Sequence, residues 1–542
     1  MGTAVIGSSS VLPLSACTSQ AKVSESEDDG PQIQIGDNIA IANTSCGKVK
    51  GYISRGVYTF LGIPYAADTS GKNRFMPPQK HEPWEGIRPV VFYGNTAPQE
   101  IYSRASTSYS MFVDHWNYDE VSENCLCLNI WTNAIDDGAR RPVIVWLHGG
   151  GYSRGNGIEH DGYHGENITR YGNVVYCSIN HRLGSIGFSD LSGVGGEKYK
   201  DSGSVGLLDM VAALQWIHEN IAHFGGDPNN VTVMGQSGGG GKVCLLAAMP
   251  ETKGLIHKGV ALSGSAISGN NQEYSRKLGE YILKEAGLTP SQVDRLQEMP
   301  WPEYLKIADR AERKLQEKEG NSGMRRGGFG PVADGVHLPK ETFFSDVTGT
   351  VPDIPMIFCS TFFEQSPSRT DAALEEITKE GVIERLKGQY KEKAAEIVEA
   401  YAKVLQGAKP IEILSLIYSN RLAVVGAANA KSHQKSPIYM AWFGWCPPLF
   451  DNRMRAFHCL DISFWFYNTD LMSTHTGGGA RPRKLAKKMA DSLVAFVQTG
   501  NPNCASLPNW PKFTPDKGET MILNDVCEVK NDPDREARRL LI

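Results

Sequence analysis

Short apolar runs that stop abruptly at glycines dominate the middle of the chain. Pro142 to Trp146 (PVIVW) is apolar at every position, which is the signature of a strand buried on both faces, and it runs straight into Leu147-His148-Gly149-Gly150-Gly151-Tyr152. The β-branched run that starts at Val231 ends in Gly235-Gln236-Ser237-Gly238-Gly239, and a helix-compatible segment follows as far as Pro250. Asp353 to Cys359 (DIPMIFC) reads as a further strand, and Gly206-Leu207-Leu208-Asp209 opens a helix-like stretch. Two longer segments, roughly Glu273 to Lys318 and Ala372 to Gln406, carry Ala, Glu, Leu, Lys and Arg at helical spacing; their charges predict solvated helix faces. No run approaches the roughly 18 apolar residues a membrane helix needs, and no fixed-period repeat is present.

The first residues follow a different pattern. Ala4 to Leu14 is weakly apolar, and Leu14-Ser15-Ala16-Cys17 has the form of a bacterial lipoprotein processing site. Thr18 to Pro31 is polar and acidic, a composition that cannot bury enough apolar surface to fold. The expected organisation is therefore a lipoprotein-type leader over 1–17, an acidic tether over 18–35, and one large domain over 36–542. It implies an exported protein, periplasmic or membrane-attached through a lipid on Cys17, with a cytoplasmic protein as the alternative.

Composition changes this picture little. With 542 residues, 41% of them hydrophobic, and a net charge of −5, the chain supports a large core, and the absence of a basic cluster speaks against nucleic acid as a partner. Eleven cysteines suggest disulfides at first sight. Cys127, Cys177, Cys244 and Cys359, however, all sit inside predicted buried elements, where a free thiol packs as a small hydrophobe. No Cys/His spacing suggests zinc.

The chemistry concentrates at Gly235 to Gly239. A serine at the tip of a strand-to-helix turn occupies strained backbone, and glycines two residues to either side let the turn close. The turn also opens a helix, whose free N–H groups face the place where negative charge develops during acyl transfer. Ser237 is the candidate nucleophile. Three glycines after the Pro142–Trp146 strand let backbone N–H groups approach a substrate oxygen, so Gly150 and Gly151, with Gly238, are the candidate oxyanion-hole donors.

These motifs come in an order that can be named. Gly47-Lys48-Val49-Lys50-Gly51 with Phe60-Leu61-Gly62-Ile63-Pro64, Glu123 to Trp131, the His148 glycine loop, Asn180 to Phe188, the Ser237 elbow and Ala456 to Ile462 together resemble the type-B carboxylesterase/lipase family, which includes the cholinesterases. The resemblance covers roughly residues 40 to 540. It implies an α/β-hydrolase fold: a large, mostly parallel central sheet flanked by helices, with helical cap insertions. It also implies a serine carboxylic ester hydrolase that needs no metal or organic cofactor. Among thirteen histidines, His458 precedes an apolar, aromatic stretch and matches the family's catalytic histidine. Glu364, in the loop after the Asp353–Cys359 strand, matches the acid; Asp334, in an Asp-Gly dipeptide that reads as a turn, is the other candidate. The order Ser237, Glu364, His458 is that of α/β hydrolases.

Two departures bear on substrate. Gln236 and Gly238 flank the serine where cholinesterase-like members usually carry glutamate and alanine, and no cysteine lies between Cys46 and Cys125 to form their loop disulfide. Both features lower the expectation of a quaternary ammonium substrate. Tyr152, Gln236, Trp116 and Trp442 are the candidate pocket residues for small aryl or short-to-medium acyl esters; ordinary packing of these aromatics is the alternative. An amidase or peptidase on the same fold and a catalytically silent binding relative are the competing functions.

Overall fold

The computed structural model describes residues 31–100, 120–319, 328–346 and 348–542. Fifteen strands are defined among them: Ile33–Gln34 (β1), Ile41–Thr44 (β2), Gly47–Lys50 (β3), Tyr52–Ser54 (β4), Val57–Pro64 (β5), Ile87–Pro89 (β6), Cys127–Thr132 (β7), Arg141–Leu147 (β8), Val175–Ile179 (β9), Gly226–Gln236 (β10), Lys258–Leu262 (β11), Met356–Thr361 (β12), Ile438–Phe443 (β13), Glu519–Leu523 (β14) and Glu528–Asn531 (β15). Twelve of them form one sheet in the order β1-β4-β5-β7-β9-β8-β10-β11-β12-β13-β14-β15, and β2, β3 and β6 form a small second sheet. From β9 to β14 every neighbouring pair is parallel, whereas the strands at both margins pair antiparallel.

The uniform apolarity of the central strands follows from burial on both faces. In β8, Val143, Val145 and Leu147 belong to one core cluster and Ile144 and Trp146 to the cluster on the opposite face, as the two-residue side-chain period requires. The chain leaves β8 to one side for β9 and then crosses to the other side for β10, so the order reverses at β8. In such sheets the crevice beyond the carboxyl ends of the strands at the reversal is where ligands bind. Register places Leu147, Gly235 and Ala261 side by side at that end.

The helical insertions form close to where the spacing predicts them, as Gln272–Glu285 and Trp301–Glu319 in one segment and Lys379–Tyr390 and Ala394–Val404 in the other. Pro410 to Lys431 is apolar overall but folds as two helices, Pro410–Ile417 and Arg421–Lys431, most of whose residues are buried inside the protein. The ten described cysteines are all free, and Cys127, Cys177, Cys244 and Cys359 are buried. Arg182 and Asp209, both fully buried, form a two-pronged ion pair (2.6 and 2.8 Å) that ties the segment after β9 to the helix Val205–Asn220.

Candidate active site

Strand β10 ends at Gln236 and the helix Gly238–Leu246 begins two residues later, so Ser237 alone makes the turn. Its backbone has φ 57° and ψ −123°, a region that costs a non-glycine residue on the order of 1–3 kcal/mol. The Ser237 N–H donates to Leu262 O on β11 at 2.8 Å, which ties the turn to the neighbouring strand. The turn closes only because its flanks lack side chains. A Cβ on Gly239 would lie 2.0 Å from Leu147 O, and one on Gly235 would lie 2.4 Å from the backbone of Gly239.

Gly150 and Gly151 follow β8 with φ of 79° and 65°, the left-handed conformation that glycine adopts without penalty. The two halves of the candidate oxyanion hole are in van der Waals contact. A Cβ on Gly238 would meet Gly151 O at 2.2 Å and Gly151 N at 2.5 Å, so only glycine at 238 lets the helix start approach this loop.

Glu364 stands three residues past the end of β12, fully buried. One carboxylate oxygen accepts from the Thr361 N–H at 2.8 Å and the other pairs with Nδ1 of His458, in a very short contact. The two loops are also joined through the backbone: His458 N–H donates to Glu364 O at 3.3 Å and Phe363 N–H to Ala456 O at 3.1 Å. A second carboxyl, that of the buried Asp461, lies behind this pair. Burial, reinforced by the charge of Glu364, pushes it up to about 7. The structure thus brings His458 and Glu364 together. Among the described residues no hydrogen bond joins His458 to the Ser237 hydroxyl; in unliganded hydrolases such contacts commonly tighten only when substrate binds.

The remaining candidates separate. Gln236 is fully buried and its side-chain amide reaches both His458 and Cys459. Tyr152, next to the oxyanion loop, lines a cavity of about 450 Å³ together with Arg154, Asn270, Phe329 and the carboxylates Asp309 and Glu312. Trp442, expected on the pocket wall, is instead core. It is 1% exposed on β13, with its ring centroid 4.2 Å from that of Phe362 and its indole N–H donating to Thr361 O at 3.3 Å. A strand covered on both faces offers its aromatics to the interior, whichever way they point. Trp116 and Cys17 lie outside the described residues. Asp334 accepts the N–H groups of Val336, His337 and Leu338 in a turn and has no contact with His458. No group of three or more His, Cys, Asp or Glu residues able to hold a metal ion is found among the described residues.

Sequence reasoning missed the residues that brace this centre. Lys242, fully buried in the helix behind Ser237, donates to His148 O at 3.0 Å. A lysine inside an otherwise apolar helix was the available signal. Gly264 packs against the nucleophile so closely that a Cβ there would lie 1.7 Å from Ser237 O. Nothing local distinguishes that glycine, because the contact is made across strands.

Residues 38–540 match the carboxylesterase family. The chain is 33% identical over 517 residues to a para-nitrobenzyl esterase from Bacillus subtilis, an alignment covering 92% of this chain and 98% of that one. It is 31% identical over 523 residues to a phenmedipham hydrolase from Pseudarthrobacter oxydans, covering 92% and 99%. Among solved structures, an esterase from Clostridium hathewayi described as hydrolysing aliphatic aromatic polyesters superposes with a TM-score of 0.80 at 33% identity, covering 94% of this chain and 99% of that one.

Proposed function

This chain belongs to the carboxylesterase family, has the α/β-hydrolase fold and is a carboxylic ester hydrolase; from that premise we propose that it cleaves small aryl or short-to-medium acyl esters through a Ser237–His458–Glu364 triad and an acyl-enzyme. The observation that carries this reading is the pairing of the His458 ring with a buried Glu364, beside a strained Ser237 at the carboxyl end of β10.

A serine hydroxyl is a poor nucleophile near neutral pH and needs a base to take its proton as it attacks. Ser237 Oγ adds to the ester carbonyl carbon while Nε2 of His458 accepts its proton. Glu364, bonded to Nδ1, fixes the tautomer and stabilises the imidazolium that forms. The carbonyl oxygen, now an oxyanion, accepts from the N–H groups of Gly150, Gly151 and Gly238. His458 then protonates the departing alkoxide, leaving the acyl group on Ser237. Water, deprotonated by the same histidine, attacks the acyl carbon and releases the acid and the free serine.

The substrate class is supported by the relatives, one of them named a para-nitrobenzyl esterase, and by the neutral Gln236 beside the nucleophile, which supplies no anionic charge for a cationic alcohol. The test is hydrolysis of p-nitrophenyl esters from acetate to laurate, with the matched anilide and Ser237→Ala run alongside. A burst of nitrophenol, a chain-length optimum and loss of turnover in the variant are expected. Equal rates for wild type and Ser237→Ala would sink the proposal, and faster anilide cleavage would favour the amidase reading. Export with a lipid on Cys17 is a separate proposal, supported by the Leu14–Cys17 sequence; labelling with radioactive palmitate in a bacterial host, lost in Cys17→Ser, is the expected result, and equal labelling of the two would overturn it.

A further inference from the structure

Lysine is among the residues least often found fully buried, and when it is, a carboxylate usually pairs with it. Lys242 is 0% exposed, yet among the described residues it forms no salt bridge; its side-chain nitrogen donates to the main-chain carbonyl of His148 at 3.0 Å. Burial drives its affinity for a proton down to about 7, an effect that the buried Glu159 partly opposes. A group so costly to place calls for a reason, and its location supplies one.

The oxyanion hole of the reaction proposed above is built from two elements that are not neighbours in the sequence. Gly238 opens the helix after β10, whereas Gly150 and Gly151 follow β8. Such donors serve only if they are held to within a fraction of an ångström of the oxygen's final position. Contact between Gly238 and Gly151 prevents closer approach, but steric contact cannot prevent separation. Lys242 lies on the Gly238 helix, and the carbonyl it grips belongs to the residue just ahead of the glycine loop. The His148 ring then continues the chain of contacts. Its Nδ1 lies 2.9 Å from Gly149 O, and the peptide unit bearing that oxygen carries the Gly150 N–H on its other side. Burial, with Lys242 nearby, holds the ring neutral, so one N–H is available to donate there. His148 is also stacked on His181, the ring centroids 5.1 Å apart and the planes within 19° of parallel.

We propose that Lys242 is a positioning residue for the oxyanion hole: it draws the His148 carbonyl, and with it the Gly149–Gly151 loop, against the helix that carries Ser237 and Gly238. This rests on the hydrolytic reading of the site. It predicts that Lys242 acts on the transition state, where the oxyanion exists, and hardly on substrate binding.

The experiment compares wild type, Lys242→Met and Ser237→Ala in p-nitrophenyl ester turnover and in affinity for a trifluoromethyl ketone built on the preferred acyl group. Ser237 Oγ adds to the ketone carbon, its proton passes to His458, and the ketone oxygen becomes an oxyanion in the hole. In Lys242→Met, kcat and ketone affinity should fall together by about tenfold to a hundredfold, below the 10²–10³ range for removing a donor outright, with KM changed by less than about threefold. Wild-type kcat and ketone affinity in the variant, whatever its melting temperature, would overturn the proposal. If the methionine variant does not fold, Lys242→Gln, which shortens the donor, replaces it and is judged by the same two readouts. An inactive wild type that also ignores the ketone would instead overturn the hydrolytic reading, and this inference with it.

Discussion

The side-chain amide nitrogen of Gln236 lies 3.3 Å from Nδ1 and 3.2 Å from Nε2 of His458, and the oxygen of the same amide accepts from the Cys459 thiol at 3.2 Å. An atom almost equidistant from both ring nitrogens at this range would overlap Cε1 if it lay in the ring plane. The amide therefore sits over the face of the imidazole, an N–H···π contact that restricts the ring without consuming either nitrogen. Gln236 is in this way a spacer between the nucleophile turn and the histidine loop, anchored at its far end by Cys459.

Replacing that neutral amide by Gln236→Glu puts a carboxylate against the catalytic ring. An anion at this range favours the imidazolium, and a base that stays protonated to higher pH delays the onset of activity. The acid limb of the kcat/KM profile for a neutral ester should move to higher pH. An unmoved limb in a folded, active variant would show that the side chain at 236 does not sense the ring.

Glu364→Gln tests the other side of His458. The amide retains the shape and can still accept from the Thr361 N–H, so the melting temperature should change little. It cannot stabilise an imidazolium, and an amide N–H facing Nδ1 selects the wrong tautomer. kcat should fall by about 10²–10⁴. A loss below about tenfold would mean that another group, such as the buried Asp461 whose carboxyl interacts with His458, supplies the charge.

What could be read from the sequence was local. The β10 turn, the β8 glycine loop and the strand before Glu364 each announce themselves within about ten residues, because glycines at fixed offsets and unbroken apolar runs reflect constraints between near neighbours. The fold class followed from the order of those pieces. An aromatic-rich strand buried on both faces gives no period to say which way a ring points, so its sequence does not separate Trp442 in the core from Trp442 on a pocket wall. The neutrality of Gln236 is legible in the sequence but its perch on His458 is not, and the contacts of Lys242 and Gly264 leave no local mark. In each of these cases the partner lies on another strand or loop, so only register brings the two together.

Gly264 supplies a prediction of that second kind. It follows β11 by two residues, and the Ser237 carbonyl fills the space its side chain would occupy, with a Cβ-to-oxygen distance of 1.7 Å. The oxygen belongs to backbone and the position of a Cβ is fixed by its own backbone, so no rotamer change relieves the clash. In Gly264→Ala the nucleophile turn must move away from β11, breaking the Ser237 N–H to Leu262 O bond. Folded protein recovered from this variant should have lost at least about 10²-fold in kcat/KM, as misplacement of a reacting group by about 1 Å does. Near-wild-type activity per folded molecule, measured by active-site titration, would show that the turn tolerates the shift.

Stability has a pH dependence that is traceable to a site away from the chemistry. His337 is held between Glu251, whose carboxylate lies 2.6 Å from Nδ1, and Asp201, 3.2 Å from Nε2, and only 12% of its side chain is exposed. The hydrogen bond to Glu251, followed by that to Asp201, outweighs the opposing effect of burial and raises the histidine to about 9; Glu251 is correspondingly lowered by His337. In the unfolded chain the same ring titrates near the ordinary value of about 6.5. Below that pH the ring is protonated in both states and the ion pairs stabilise the fold in full. Between about 6.5 and 9 the folded state alone keeps the proton, so stability declines steadily as pH rises; above about 9 the contribution is gone. Each pKa unit of difference corresponds to about 1.4 kcal/mol, so the loss across this window is on the order of 1–3 kcal/mol once partial exposure of the carboxylates is allowed for. Other buried groups titrate near neutrality, so the informative quantity is the difference between wild type and His337→Gln in urea unfolding at matched pH. That difference should be largest at pH 6 and shrink toward pH 9.5. If it is constant, or grows as pH rises, the histidine is not held as a cation by its two carboxylates.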